Sequence, residues 1–137
     1  MKDLIERLEK ATGPDRELDA RIEITRRRFL FGAAAVSGAV IGGKVSAGWI
    51  VGPGHSAIEA PRYTASVDAA LALVPKDGPY VWSWRVGNTP SGRGFAYIGT
   101  DLVEHDGRNP AIALCIAALK ACAALTTAQN QGGGNGG

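Results

Sequence analysis

The sequence is poor in the residues from which reaction centres are usually built. Two cysteines, two histidines and one methionine stand among 137 residues. The histidines, His55 and His105, and the cysteines, Cys115 and Cys122, do not fall at the compact spacing that closes a metal site. His105 is followed by Asp106 and His55 by Ser56, but no nucleophile-elbow pattern surrounds either. The glycine-rich "NTPSGRG" lacks the Lys-Ser/Thr pair of a phosphate loop and reads as a turn. No catalytic, metal or cofactor-binding residues are expected, and the chain reads as a non-enzyme without a cofactor.

Other shortages are as telling. Aromatic residues make up 7% of the chain, and much of the 45% apolar content is alanine. A small, closely packed core is expected. The net charge is only +2, and Arg26, Arg27 and Arg28 supply much of the positive side in one cluster. Nucleic-acid binding normally needs a basic face interleaved with polar or aromatic readers, so that partner is not favoured. No uncharged run reaches the ~20 residues that span a bilayer, so no stable transmembrane span is expected.

What is present is a run of helix and strand signals typical of a small α+β domain. In "DLIERLEK", Leu4, Ile5 and Leu8 share one face, Asp3 caps the start and Gly13-Pro14 ends the helix. "PDRELDARIE", residues 14–23, predicts a second helix with Pro14 in its first turn and Leu18 and Ile22 aligned. Residues 48–62 read as a linker, with a short strand at Trp49 to Val51. In "YTASVDAALALVP", Thr64 or Ser66 caps a helix whose apolar side is Val67, Ala70, Leu71 and Val74, and Pro75 stops it.

The strongest strand signal follows. Tyr80, Trp82, Trp84 and Val86 alternate with smaller or polar residues. With "FAYIG" they form a β-hairpin at about 80–98. Trp82 and Trp84 could stack bases or sugars, but core packing is the preferred role. Residues 101–108 read as an exposed connection, with Leu102 and Val103 as a third short strand. Asn109 caps and Pro110 opens a C-terminal helix at about 110–125, with Ile112, Cys115, Ile116, Leu119 and Cys122 in one stripe. Ala113, Ala117 and Ala121 permit close approach. Seven residues of helix set Cys115 and Cys122 roughly 10 Å apart, beyond the ~7 Å a disulfide tolerates. They read as small core residues. Residues 126–137 are polar and glycine-rich and read as a disordered tail.

Three blocks of this pattern resemble a known family. "LIERLEKATGPDRELDARI", residues 4–22, resembles the opening of small phage and prophage proteins. "PRYTASVDAALALVP", residues 61–75, and "NPAIALCIAALKA", residues 109–121, resemble their later part. The family is the phage ABA sandwich domain. The resemblance implies a helix/antiparallel sheet/helix sandwich and phage origin, and it carries no activity or functional residues with it. The family typically continues after its first helices with strand-like sequence, whereas here residues 25–47 stand in that place.

That stretch begins "TRRRFL", which resembles the twin-arginine translocation (Tat) signal. Thr25, Arg26, Arg27, Phe29 and Leu30 fit its pattern, and Phe31 replaces the usual lysine. A mild glycine-dotted apolar run follows, then Lys44, then Val45-Ser46-Ala47, a small-residue site that implies cleavage after Ala47. The structural alternative is a buried glycine-alanine helix or strand pair. The expected organisation is a helical segment at 1–24, the signal-like segment at 25–47, the linker at 48–62, a small α/β core at 63–125 and the tail at 126–137.

Three functional readings result. The first is a non-enzymatic domain of phage or prophage origin carrying a signal-like segment, with a cytoplasmic address preferred. The second is a periplasmic protein exported by the Tat translocase, its mature chain starting near Gly48. The third is a small binding module for nucleic acid or a phage protein, using Arg26 to Arg28 as its basic patch.

Overall fold

The structure is a computed structural model that describes residues 2–31, 49–51, 57–74, 84–98 and 104–136. Among them are helices α1 (Lys2–Glu9), α2 (Arg16–Phe31), α3 (Val67–Leu71) and α4 (Pro110–Gly136). The strands are β1 (Trp49–Val51), β2 (Ala57–Glu59), β3 (Trp84–Asn88), β4 (Gly94–Ile98) and β5 (His105–Gly107). Strands β1 and β2 form an antiparallel ribbon, and β3, β4 and β5 a three-stranded antiparallel sheet in that order. The fold is the small α+β type expected from the sequence. His55, Ala47, Pro75, Trp82, Leu102 and Val103 lie outside the described residues, as does most of the signal-like segment.

Helix α4 is the centre of the molecule. Its flank lies on β4 and β5, and α1 and α3 close over its other sides. Every residue from Ala111 to Leu119 is therefore buried, not just the stripe through Ile112, Cys115, Ile116 and Leu119. A helix apolar all round is one that other elements surround. Asn109 caps it, its Oδ1 accepting from the Ile112 N–H at 2.7 Å, and Pro110 takes the first position, where no N–H is needed. The helix outruns its expected end near residue 125 and continues to Gly136, through the stretch read as a tail. No proline interrupts it after Pro110. Its last turns carry glycines that cost about 1 kcal/mol each against alanine.

Two glycines seat α4 on the sheet. Gly94 and Gly107 are cross-strand partners on β4 and β5. A Cβ at Gly94 would run into the backbone at the Asn109–Pro110 junction, and one at Gly107 would meet the Ala113 nitrogen at 2.6 Å. Only hydrogen at both sites lets the helix start rest on the strands. Further along β4, Ala96 and Ile98 are buried beneath α4 while Phe95 and Tyr97 turn to the other face.

Helix α1 forms as the periodicity predicts, with Leu4, Ile5 and Leu8 buried. Asp3 sits within its first turn instead of before it, because the helix already starts at Lys2. Helix α2 departs further. Its cap is Asp15, whose Oδ1 accepts from the N–H groups of Glu17 and Leu18 at 2.9 and 3.2 Å, and Pro14 precedes the cap. The helix does not end at residue 23 but runs through the arginines to Phe31. Neither glycine nor proline interrupts it, and Glu23 pairs with Arg26 and Arg27 at i+3 and i+4.

The middle of the chain shows three smaller differences. Ser66 is the cap of α3, its side chain accepting from Ala69, while Thr64 is buried elsewhere. Helix α3 stops at Leu71, and Ala72, Leu73 and Val74 continue as tighter turns bonded to Ala69, Ala70 and Leu71. The third strand of the sheet is His105–Gly107, inside the stretch read as an exposed connection. The segment read as a linker contains β2 as well as the expected β1.

Candidate functional site: a polar seam beside the arginine cluster

The chemistry of this molecule concentrates where α2 meets residues 59–66. On α2, Asp19 and Glu23 follow Leu18 and Ile22 directly, so they share the buried side of the helix. Asp19 is 1% exposed and Glu23 4%, values reached by carboxylates only when partners are supplied.

Those partners are present. Asp19 Oδ1 accepts from the backbone N–H of Thr64 at 2.8 Å and from its hydroxyl at 2.7 Å. Asp19 Oδ2 accepts from Arg16 Nη1 at 2.7 Å. Arg16 also reaches the Ala60 carbonyl at 2.7 Å and Glu59 at 3.2 Å. Thr64 Oγ1 accepts in turn from the Asp15 N–H at 2.8 Å. The Thr64 carbonyl accepts from Asn109 Nδ2 at 3.1 Å. Thr64 thus joins the start of α2 to the start of α4.

One turn along α2, Glu23 is a second node. Its Oε2 accepts from the Tyr63 hydroxyl at 2.7 Å. Its Oε1 receives Arg26 Nη1 at 3.1 Å and lies 3.4 Å from Arg27 Nε. The Arg27 contact is an ion pair without hydrogen-bond geometry, since that Nε has no hydrogen-bond partner among the described residues. Burial, aided by the bond to Glu23, pushes the Tyr63 phenol well above its ordinary 10.0.

The residues predicted from the sequence fall partly within this seam. Arg26 and Arg27 are in it, both paired with Glu23. Thr25 donates its hydroxyl to the Arg21 carbonyl at 2.9 Å, a bond within the helix. Phe29 and Leu30 belong to the last turns of α2. Ala47 lies outside the described residues. Asp15, Asp19, Glu23, Tyr63 and Thr64 were not singled out by sequence reasoning as a group. The available signal was the pair of acids at i and i+4, each directly after an apolar residue of the buried face.

The remaining predicted groups are placed apart from the seam or at its margin. Cys115 is buried, and its thiol donates to the Tyr63 carbonyl at 3.3 Å. Burial pushes its pKa far up, with the Asp19 charge adding to the effect. Cys122 donates to the Leu73 carbonyl at 3.8 Å, and burial raises it too. Neither thiol ionises readily, so both behave as small core residues. His105 lies on β5, and no three potential metal ligands converge among the described residues. Trp84 is 50% exposed, so it is not the core residue expected, although it shares the sheet face of buried Ile98. It stands at the start of the outer strand, where α4 does not cover it.

No family model matches this chain, and no curated protein or solved structure is significantly similar to it.

Proposed function

We propose that this chain acts at full length as a non-enzymatic domain of phage or prophage origin. Its twin-arginine motif, Thr25 to Leu30, serves as the end of α2 and not as an export address. The observation that carries this reading is the commitment of Arg26 and Arg27 to Glu23. A receptor that reads those arginines must draw them off a carboxylate that is 4% exposed. Leaving such a charge unpaired costs roughly 3–5 kcal/mol.

The packing of the first two helices supports the same reading. Leu4, Ile5, Leu8, Leu18 and Ile22 belong to one core with Ile112, Leu114 and Ile116. Cleavage after Ala47 would remove those five side chains together with Asp15, Asp19 and Glu23. The three blocks that resemble the phage family are also the ones that touch through Thr64 and Asn109. Among the described residues no set suited to catalysis accompanies them, and on this reading the domain works by contact.

The test is the mass of the protein recovered from the cells that make it naturally. A chain that retains its N-terminal helices is expected, in the cytoplasmic fraction. A product that begins near Gly48 outside the cytoplasm, lost on replacing both Arg26 and Arg27 by lysine, would establish export instead.

A further inference from the structure

The three-stranded sheet has two unlike borders. Strand β5 is flanked by α1 and α4. Strand β3 is the outer strand on the other side among the described residues, with Trp84, Arg85 and Asn88 exposed. The hairpin turn fixes which backbone groups β3 turns outward. Thr89 N–H donates to the Arg93 carbonyl at 2.6 Å, one step beyond the Asn88–Gly94 pair. Bonded pairs alternate along an antiparallel ladder. Gly87 and Arg85 therefore bond to β4, and Trp84, Val86 and Asn88 direct their N–H and C=O groups to the open edge.

Edges of this kind are templates for another strand, and proteins that avoid pairing protect them with proline, inward charges or cover. Strand β3, "WRVGN", has none of these among its own residues. Its one charge, Arg85, instead permits self-pairing. We propose that β3 pairs antiparallel with β3 of a second copy of this chain, centred on Val86, to make one continuous six-stranded sheet.

In that register Val86 faces Val86 of the second copy, Arg85 faces Gly87, and Trp84 faces Asn88. The same three residues that turn outward supply both donors and acceptors, so the ladder closes under two-fold symmetry. No like charges stand opposite each other. The pairing also gives Arg85 a specific seat. The Phe95 ring lies across Gly87 in each copy, about where a Cβ there would meet it at 2.9–3.0 Å. Arg85 from the second copy arrives beside Gly87 on that same face, within reach of the ring for a cation–π contact. Half-exposed Trp84 gains the neighbouring strand as cover.

Sedimentation of the full chain across a concentration series, from about 5 to about 500 µM, tests the association. A monomer–dimer equilibrium is expected. The register is tested by charge. Trp84 and Asn88 are both exposed, so replacing both by lysine leaves the fold intact but sets lysine against lysine twice across the symmetric seam. That W84K/N88K variant should dissociate at least about tenfold more readily than W84K/N88E, in which each lysine meets a glutamate. Amide exchange on the unaltered chain gives a measure that needs no variant. Trp84, Val86 and Asn88 should become protected as concentration rises, while Arg85 and Gly87 are protected throughout. A monomer at every concentration would overturn the proposal. So would equal dimerisation of the two charge variants, or edge amides whose protection ignores concentration.

Discussion

Helices α2 and α4 are both held on more than one side, but by opposite means. Helix α4 is buried by small apolar side chains and by two glycines that leave room beneath it. Helix α2 buries two acids beside its apolar residues Leu18, Ala20, Ile22 and Ile24, each acid answered by donors from residues 63–64 or from arginines of its own turns. An apolar flank tolerates partial loss, since neighbours relax into a vacated volume. A buried carboxylate tolerates it poorly, because its charge keeps its desolvation cost when a partner leaves. The two helices should therefore respond differently to changes of similar size.

The largest effect is expected from removing α1 and α2 together. A chain that starts at Gly48 lacks the five apolar side chains that α1 and α2 give the core, and it should show no cooperative thermal transition by circular dichroism. A stable, cooperatively unfolding fragment would mean that the two helices are independent of the α4 core.

Next is Asp19→Ala, which takes one partner from Arg16 and from the Thr64 hydroxyl and leaves the buried Thr64 N–H without its acceptor. Denaturant unfolding should show a loss of about 2–4 kcal/mol, from the stranded N–H and the lost charge-assisted bonds. Asp19→Asn keeps an acceptor oxygen and should lose less, and a loss equal to that of Asp19→Ala would show that the charge, and not the acceptor oxygen, holds the seam. On the α4 side, Gly94→Ala forces a methyl group against the Asn109–Pro110 backbone. Overpacking of that kind costs about 1–3 kcal/mol, read from the same unfolding curves. If Gly94→Ala proved costlier than Asp19→Ala, the contrast between the helices would be reversed.

A smaller effect belongs to Tyr63→Phe. It removes one bond to Glu23 while both arginines remain, and about 1–2 kcal/mol should be lost. The phenol and the two thiols also predict a pH dependence. All three are raised in the folded chain above the ordinary 10.0 of tyrosine and 9.0 of cysteine. Their contribution is fully present below those ordinary values. It is lost as pH rises through them toward the folded values, because the unfolded chain gives up protons the folded chain keeps. The unfolding midpoint should fall above about pH 9, and less so in Tyr63→Phe.

The contrast also explains what the sequence made legible. Helix α4 announces itself through Asn109-Pro110 and an unbroken alanine-rich run, because caps and apolar content are local signals. The hairpin is equally local, apart from the exposure of Trp84, which depends on where the covering helix ends. The seam is not local. Nothing near Asp19 says that Thr64 will meet it, and nothing near Glu23 says that Tyr63 will. Charged residues on a helix are ordinarily solvated, so residue type assigns Asp19 and Glu23 to the outside although their spacing sets them beside the buried face. The run of arginines was visible, but its pairing with Glu23, three residues before it, was not. Arg26 and Arg27, read from the sequence as part of a signal, stand beside Glu23 as counter-charges of a buried acid.

Thr64 carries one more consequence, for the order in which the chain folds. Its bonds to Asp15 and Asp19 span 49 and 45 residues, and its bond from Asn109 spans another 45. Each requires a long loop to close before any return comes from it. The capped starts of α2 and α4 can form before this knot is tied, and the knot is expected to form after the folding barrier is crossed. Substitutions at Asp19 or Thr64 should leave the refolding rate nearly unchanged and appear almost wholly as faster unfolding, which makes this one threonine a latch on the lifetime of the folded chain.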